Sequence, residues 1–147
     1  MLLPLLLGSC TLLINLVVQV AAVVLMLRFL SGRITEGQIA PGFRNDAGIL
    51  MGILLVLFAG HLAQIAVWAL LFMQLGEFED LATAYYHSTV NFATLGYGDI
   101  VMTDRWRLLG ALQAASGVLM FGLSTSTLFA VMLQLFQRRS NRPGNDA

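Results

Sequence analysis

Thr94-Leu95-Gly96-Tyr97-Gly98-Asp99 lies between two long apolar segments, and its reading decides the fold. Consecutive carbonyls of an L-chain do not normally face one way. They can when residues alternate between right- and left-handed dihedrals, and glycine takes the left-handed values without steric cost. Gly96 and Gly98, two apart, suit the alternate positions. A stack of carbonyls built this way can replace the hydration shell of a dehydrated cation, and Thr94 would add a hydroxyl oxygen at its inner mouth. The plainer alternative is a glycine-rich turn joining two helices.

The surroundings favour the first reading. Of 147 residues, 58% are apolar and 11% charged, with mean hydropathy +0.80. A soluble domain carries about a quarter charged residues, so this composition belongs in a bilayer. At about 100–200 residues per domain the chain is one unit. Every basic residue is an arginine and the net charge is zero, so nothing points to a nucleic-acid partner. A single cysteine, Cys10, rules out an internal disulfide and a cysteine-based metal cluster. Leu7-Gly8-Ser9-Cys10 lacks a basic leader, and its apolar run follows the cysteine, so lipidation is not expected.

Three stretches reach the roughly 20 apolar residues that cross a bilayer. Leu2 to Leu27 carries no charge and reads as a retained helix. Gly48 to Leu75 is interrupted only by His61, Gln64 and Gln74. Leu108 to Gln137 meets no charge before Arg138 and Arg139. At ~1.5 Å per residue it exceeds a ~30 Å hydrocarbon core, so it should tilt or project. Leu81 to Ala93 is too short to span, and it follows Glu77, Glu79 and Asp80, whose carboxylates suit a helix start. A short helix that enters the membrane and returns as irregular backbone is allowed where that backbone is buried or lines water. Its carbonyl end, partially negative, would then favour a cation.

Arginines set the orientation. Arg28, Arg33 and Arg44 surround the first loop, and Arg138, Arg139 and Arg142 lie in the tail. The loop around Asp99 holds Arg105 and Arg107 against Glu77, Glu79, Asp80, Asp99 and Asp104. The positive-inside rule puts the first loop and the C-terminus in the cytoplasm and the glycine loop outside; three crossings put the N-terminus outside. Gly32, Gly37, Pro41 and Gly42 punctuate the connector.

Thr94 to Asp99 resembles the selectivity-filter signature of two-transmembrane, pore-loop potassium channels, a threonine and an aliphatic residue followed by Gly-Tyr-Gly-Asp. The resemblance runs from about Gly48 to Gln137, where Ala84-Tyr85-Tyr86-His87-Ser88 and Asn91-Phe92-Ala93 look like the pore helix. It implies an all-α membrane protein with a helix–pore loop–helix module preceded by one additional transmembrane helix. The expected division is a first helix over 1–30, a cytoplasmic connector over 31–47, a pore domain over 48–137 and a cytoplasmic tail over 138–147. Within the pore domain fall an outer helix (48–75), a pore helix (81–93), the filter (94–99) and an inner helix (106–137).

By the same resemblance, Thr94, Leu95, Gly96, Tyr97 and Gly98 form the ion path, with potassium on oxygens of Thr94 to Tyr97. Asp99, Tyr86 and His87 support it, because Val90 stands where some members place a glutamate that bonds the aspartate. Ala93 stands where many have a second threonine, and Leu95 where valine or isoleucine is commoner. Tyr97 is expected to join an aromatic cuff with Tyr85, Tyr86 and Phe92. A homotetramer in the plasma (inner) membrane is implied, since one loop supplies a quarter of each cage. Potassium is the permeant ion, no cofactor is needed, and no enzymatic chemistry is expected.

Other residues carry two readings each. Gly117 and Gly122 suit a hinge or close helix packing. Among Ser124, Thr125, Ser126 and Thr127, the hydroxyls could line a cavity below the filter or bond their own backbone. Asn15 and Gln19, four apart, share a helix face and suit a bond to another helix more than to a ligand. His61 reads as a neutral histidine bonded to Gln64 or a neighbouring helix, with pH sensing as the alternative. Trp106 is expected at the outer interface and Trp68 in packing. No regularly spaced arginines occur within a span, so a voltage sensor is not expected. The rival functions are a weakly selective cation channel and a non-conducting regulatory membrane subunit.

Overall fold

A computed structural model describes residues 2–35 and 42–140. It contains α1 (Leu2–Thr35), α2 (Phe43–Gln74), α3 (Leu81–Phe92) and α4 (Arg107–Ser140), with no strand among the described residues. The chain is an all-α protein, and α1, α2 and α4 are long and apolar enough to cross a membrane. α1 and α4 both run beyond the apolar stretches, to Thr35 and Ser140, and α2 begins at Phe43, inside the 31–47 connector. The rest of that connector (36–41) and the tail (141–147) lie outside the described residues.

Contacts along the helices set their directions. Gln19 of α1 bonds Gln64 of α2 at 2.8 Å, and a Cβ on Gly60 would stand 3.8 Å from Ala22. Higher numbers on one helix thus meet lower ones on the other, and the pair is antiparallel. Gly8 faces Leu109 and Leu112 of α4 while Gln19 bonds Ser124, so α1 and α4 run parallel. α3 sits between α2 and α4, and its backbone makes no close approach to that of α1.

Two apolar clusters hold this arrangement. Around α3, Ile65, Trp68, Phe72, Phe92, Trp106, Leu109 and Met120 pack together, with Leu7 and Leu16 of α1 against them. At the other end Met26, Ile53, Leu57, Val131 and Leu135 join α1, α2 and α4. Trp106 is in the core, 6% exposed, where its ring has the other large apolar residues to pack on. Trp68 is fully buried as expected. The outward apolar residues, such as Leu6, Val17, Leu55 and Phe136, suit lipid or further protein.

Candidate functional site

The short helix α3 is set by its ends. Asp80 is its N-cap, accepting the Thr83 amide at 2.8 Å, which settles an orphan donor of the first turn and places a carboxylate at the positive end. Hydrogen bonding from Thr83, first through its side chain and then through its amide, holds the Asp80 carboxyl below the usual carboxylate range.

The other end launches the glycine loop. Ala93 is the C-cap. Beyond it the Thr94 amide donates to the Asn91 carbonyl and the Leu95 amide to the Val90 carbonyl, both at 2.9 Å. This is a Schellman motif, which needs a left-handed residue at the position Thr94 occupies. α2 ends in the same motif, with Gly76 at φ +73° and the amides of Gly76 and Glu77 bonded to Met73 and Phe72. There glycine takes the left-handed place; on α3 a threonine does, at φ +60°, where L-residues lose roughly 1–2 kcal/mol. The left-handed positions then continue at Gly96 (φ +58°) and Gly98 (φ +73°), alternating with Leu95 and Tyr97. The alternation inferred from the two glycines therefore starts one step earlier, at the helix cap. The Thr94 and Leu95 amides are thus spent on the end of the helix. Residues 94–99 are all exposed on the surface of the single chain.

Three straps fix the segment that leaves the loop. The Tyr86 hydroxyl donates to Asp99 at 2.7 Å. This bond holds the Asp99 carboxyl below its ordinary range and pushes the Tyr86 hydroxyl up. His87 Nδ1 donates to the Ile100 carbonyl (3.1 Å), which leaves Nε2 to accept from the Asn91 amide (2.8 Å). Burial lowers the His87 pKa, so the neutral ring that this arrangement needs is favoured. Its ring also lies against Phe72 and Phe78. Glu77 accepts from the Thr103 amide and hydroxyl at 2.7 and 2.6 Å. Tyr86 thus supplies the partner that Asp99 needs, while Val90 is buried and contributes its carbonyl. The Glu77–Thr103 strap escapes sequence reading, because the two residues are 26 apart in an irregular region.

α4 closes the back of the site. Gln113 donates to the Ser88 carbonyl at 3.2 Å. A Cβ on Gly110 would stand 3.3 Å from the Asn91 amide nitrogen. One on Gly117 would run into the Phe92 carbonyl oxygen, with the Phe92 carbonyl carbon at 2.9 Å. Gly117 therefore packs closely against the end of α3, the second of the two readings given for it. Gly122 has nothing within 4 Å and keeps its freedom.

The other candidates find these partners. The Ser124 hydroxyl accepts from Gln19 at 2.9 Å and bonds His61 Nε2 at 3.0 Å. Thr125 stays exposed, and its hydroxyl returns to the Phe121 carbonyl at 2.9 Å. Gln19 bonds neighbouring helices as expected, but the amide of Asn15, also fully buried, has no partner among the described residues. His61 bonds Ser124 of a neighbouring helix, one of the two partners expected for it. Among the described residues no aromatic cuff forms around Tyr97. Tyr97 is 65% exposed, Tyr85 bonds the Leu62 carbonyl, and Phe92 packs on His61 and Phe121.

A family model described as "Ion channel" matches residues 51–134, from within α2 through most of α4, and leaves α1 outside. Neither a curated protein nor a solved structure matches the chain.

Proposed function

This chain belongs to that ion channel family, and we propose that it is the subunit of a potassium-selective channel that conducts ions passively. The observation that carries the reading is the left-handed backbone at alternate residues Thr94, Gly96 and Gly98. In such a backbone successive carbonyls can turn to one side, and rings of carbonyls are what strip and replace the shell of potassium. Potassium would pass the carbonyls of Thr94, Leu95, Gly96 and Tyr97, with the Thr94 hydroxyl at the inner end and Gly98 completing the turn. No bond is made or broken, so the function is that of a channel and not of an enzyme.

One loop makes one wall, and four copies around an axis would close the cage, so the working unit is a homotetramer. The exposure of residues 94–99 in the single chain supports this. Tyr97, without an aromatic partner of its own, would find its packing against a neighbouring copy. α3 would direct its carbonyl end at the ion path. The parallel course of α1 and α4, antiparallel to α2, is consistent with three crossings, an external N-terminus and a cytoplasmic C-terminus in the plasma (inner) membrane.

Purified protein in liposomes tests the reading. Potassium efflux that exceeds sodium efflux by at least tenfold, from a particle with the mass of four chains, is the expected result. Equal fluxes would make it a weakly selective cation channel, and no flux from an intact tetramer would leave a non-conducting subunit.

A further inference from the structure

α1 lies outside the region that defines the ion channel family, yet it is bonded to the pore-forming helices by buried polar groups. Gln19, 1% exposed, accepts from Gln64 of α2 through its Oε1 and donates from its Nε2 to Ser124 of α4. Ser124 in turn bonds His61 of α2 at 3.0 Å. One glutamine thus joins three helices between the two apolar clusters. Below it, Met26 of α1 packs with Ile53 and Leu57 of α2 and Val131 and Leu135 of α4. α4 is unbroken from Arg107 to Ser140. Its one glycine with open space around it, Gly122, lies two residues before Ser124. Above that point Gly117 is locked against Phe92. A bend at Gly122 would leave the upper part of α4 in place and carry Ser124 and everything below it away from α1 and α2.

We propose that α1 is a clamp on α4, with Gln19 as its positioning residue: the Gln19–Ser124 bond holds the inner helix straight and the conduction path shut. This rests on the channel reading. Within a bilayer the bond has no water to compete with it, which is why a polar pair is placed where leucines would otherwise suffice. The lower apolar cluster adds to the hold but carries no directional requirement; the hydrogen bond does.

Single-channel recording of the full chain in planar bilayers tests the clamp, comparing the parent with Gln19→Leu, Ser124→Ala and the double variant. Thr11→Val is the control, since Thr11 is buried on the same helix but its hydroxyl bonds the Leu7 carbonyl of that helix. Loss of one interhelical bond of average strength changes an equilibrium about threefold. The open-to-closed ratio should therefore rise about threefold or more in each single variant. The double variant should rise by less than the product of the two, because both lose the same bond. Unitary conductance and potassium-over-sodium selectivity should not change, and Thr11→Val should behave as the parent. Parental open probability in both single variants would overturn the clamp while the channel reading stands. So would strictly multiplicative effects, or an equal rise in Thr11→Val. If Gln19→Leu does not assemble, Ser124→Ala decides the matter, because it removes one oxygen and no bulk. A parent protein that passes no potassium current would instead overturn the channel reading, and the clamp with it.

Discussion

Replacing Gly117 by alanine adds a single methyl group, and the site leaves no room for it. The new Cβ would overlap the Phe92 carbonyl oxygen and stand 2.9 Å from its carbon and 3.2 Å from its Cα. These are backbone atoms, so no rotamer change relieves the clash. Bringing the carbonyl carbon to ordinary contact needs a retreat of at least about 0.5 Å, and the oxygen needs more. Phe92 cannot retreat freely. Its ring is fully buried against His61 and Phe121, and the next two residues are the C-cap and the left-handed Thr94. Overpacking costs about 1–3 kcal/mol where side chains can yield, and a backbone obstacle puts this case at the upper end. A penalty of about 3 kcal/mol is a factor of more than 100 in the folded-to-unfolded ratio. Because Phe92 feeds directly into Thr94, part of the shift should reach the loop, so liposome flux should fall together with thermal stability. Gly122→Ala is the matched comparison: nothing lies within 4 Å, so alanine should leave melting unchanged or raise it by replacing a poor helix former. Measuring both variants by thermal melting in detergent and by potassium flux decides the point. If Gly117→Ala melts and conducts like the parent, the close approach of α4 to α3 is not as described.

Gly96→Ala should abolish selective flux while membrane insertion persists, because the methyl meets no neighbour within the chain but forces an L-residue to φ +58° at a cost of roughly 1–2 kcal/mol; undiminished selective flux would refute the carbonyl-cage reading. Tyr86→Phe removes the donor that holds the Asp99 carboxyl below its ordinary range. In the parent, the stabilisation from this bond is present above the ordinary carboxylate range and is lost only as pH falls through the depressed pKa of Asp99. The variant should protonate Asp99 at higher pH, read as an upward shift in the acid limb of potassium flux, and an unmoved limb would exclude the Tyr86 strap. Asp80→Ala deletes the N-cap of α3 and should cost about 1 kcal/mol in stability without altering selectivity, checked by melting and reversal potential.

The class of the protein was written in the linear chain because its determinants are local or cumulative. Uninterrupted apolar runs mark helices for a bilayer, the acidic cluster before Leu81 marks a helix start, and Gly96 and Gly98 announce a backbone that only glycine enters cheaply. Even the straps at Asp99 were partly legible, since Tyr86 and His87 lie on the helix that feeds the loop. What the sequence could not supply were facts that arise between segments. A threonine in the left-handed cap position follows from how α3 ends, and no propensity assigns it there. Gly117 and Gly122 are the same residue type on the same helix; the backbone of Phe92 against one and open space around the other separate them. Ser124 was one hydroxyl in a run of four, and only the meeting of α1, α2 and α4 turned it inward to Gln19 and His61. The absence of a cuff around Tyr97 within one chain has the same origin, because residues 94–99 form a surface. Local backbone preference and hydropathy are properties of neighbours in sequence; steric exclusion and buried hydrogen bonding are properties of neighbours in space, and only the packed helices decide them.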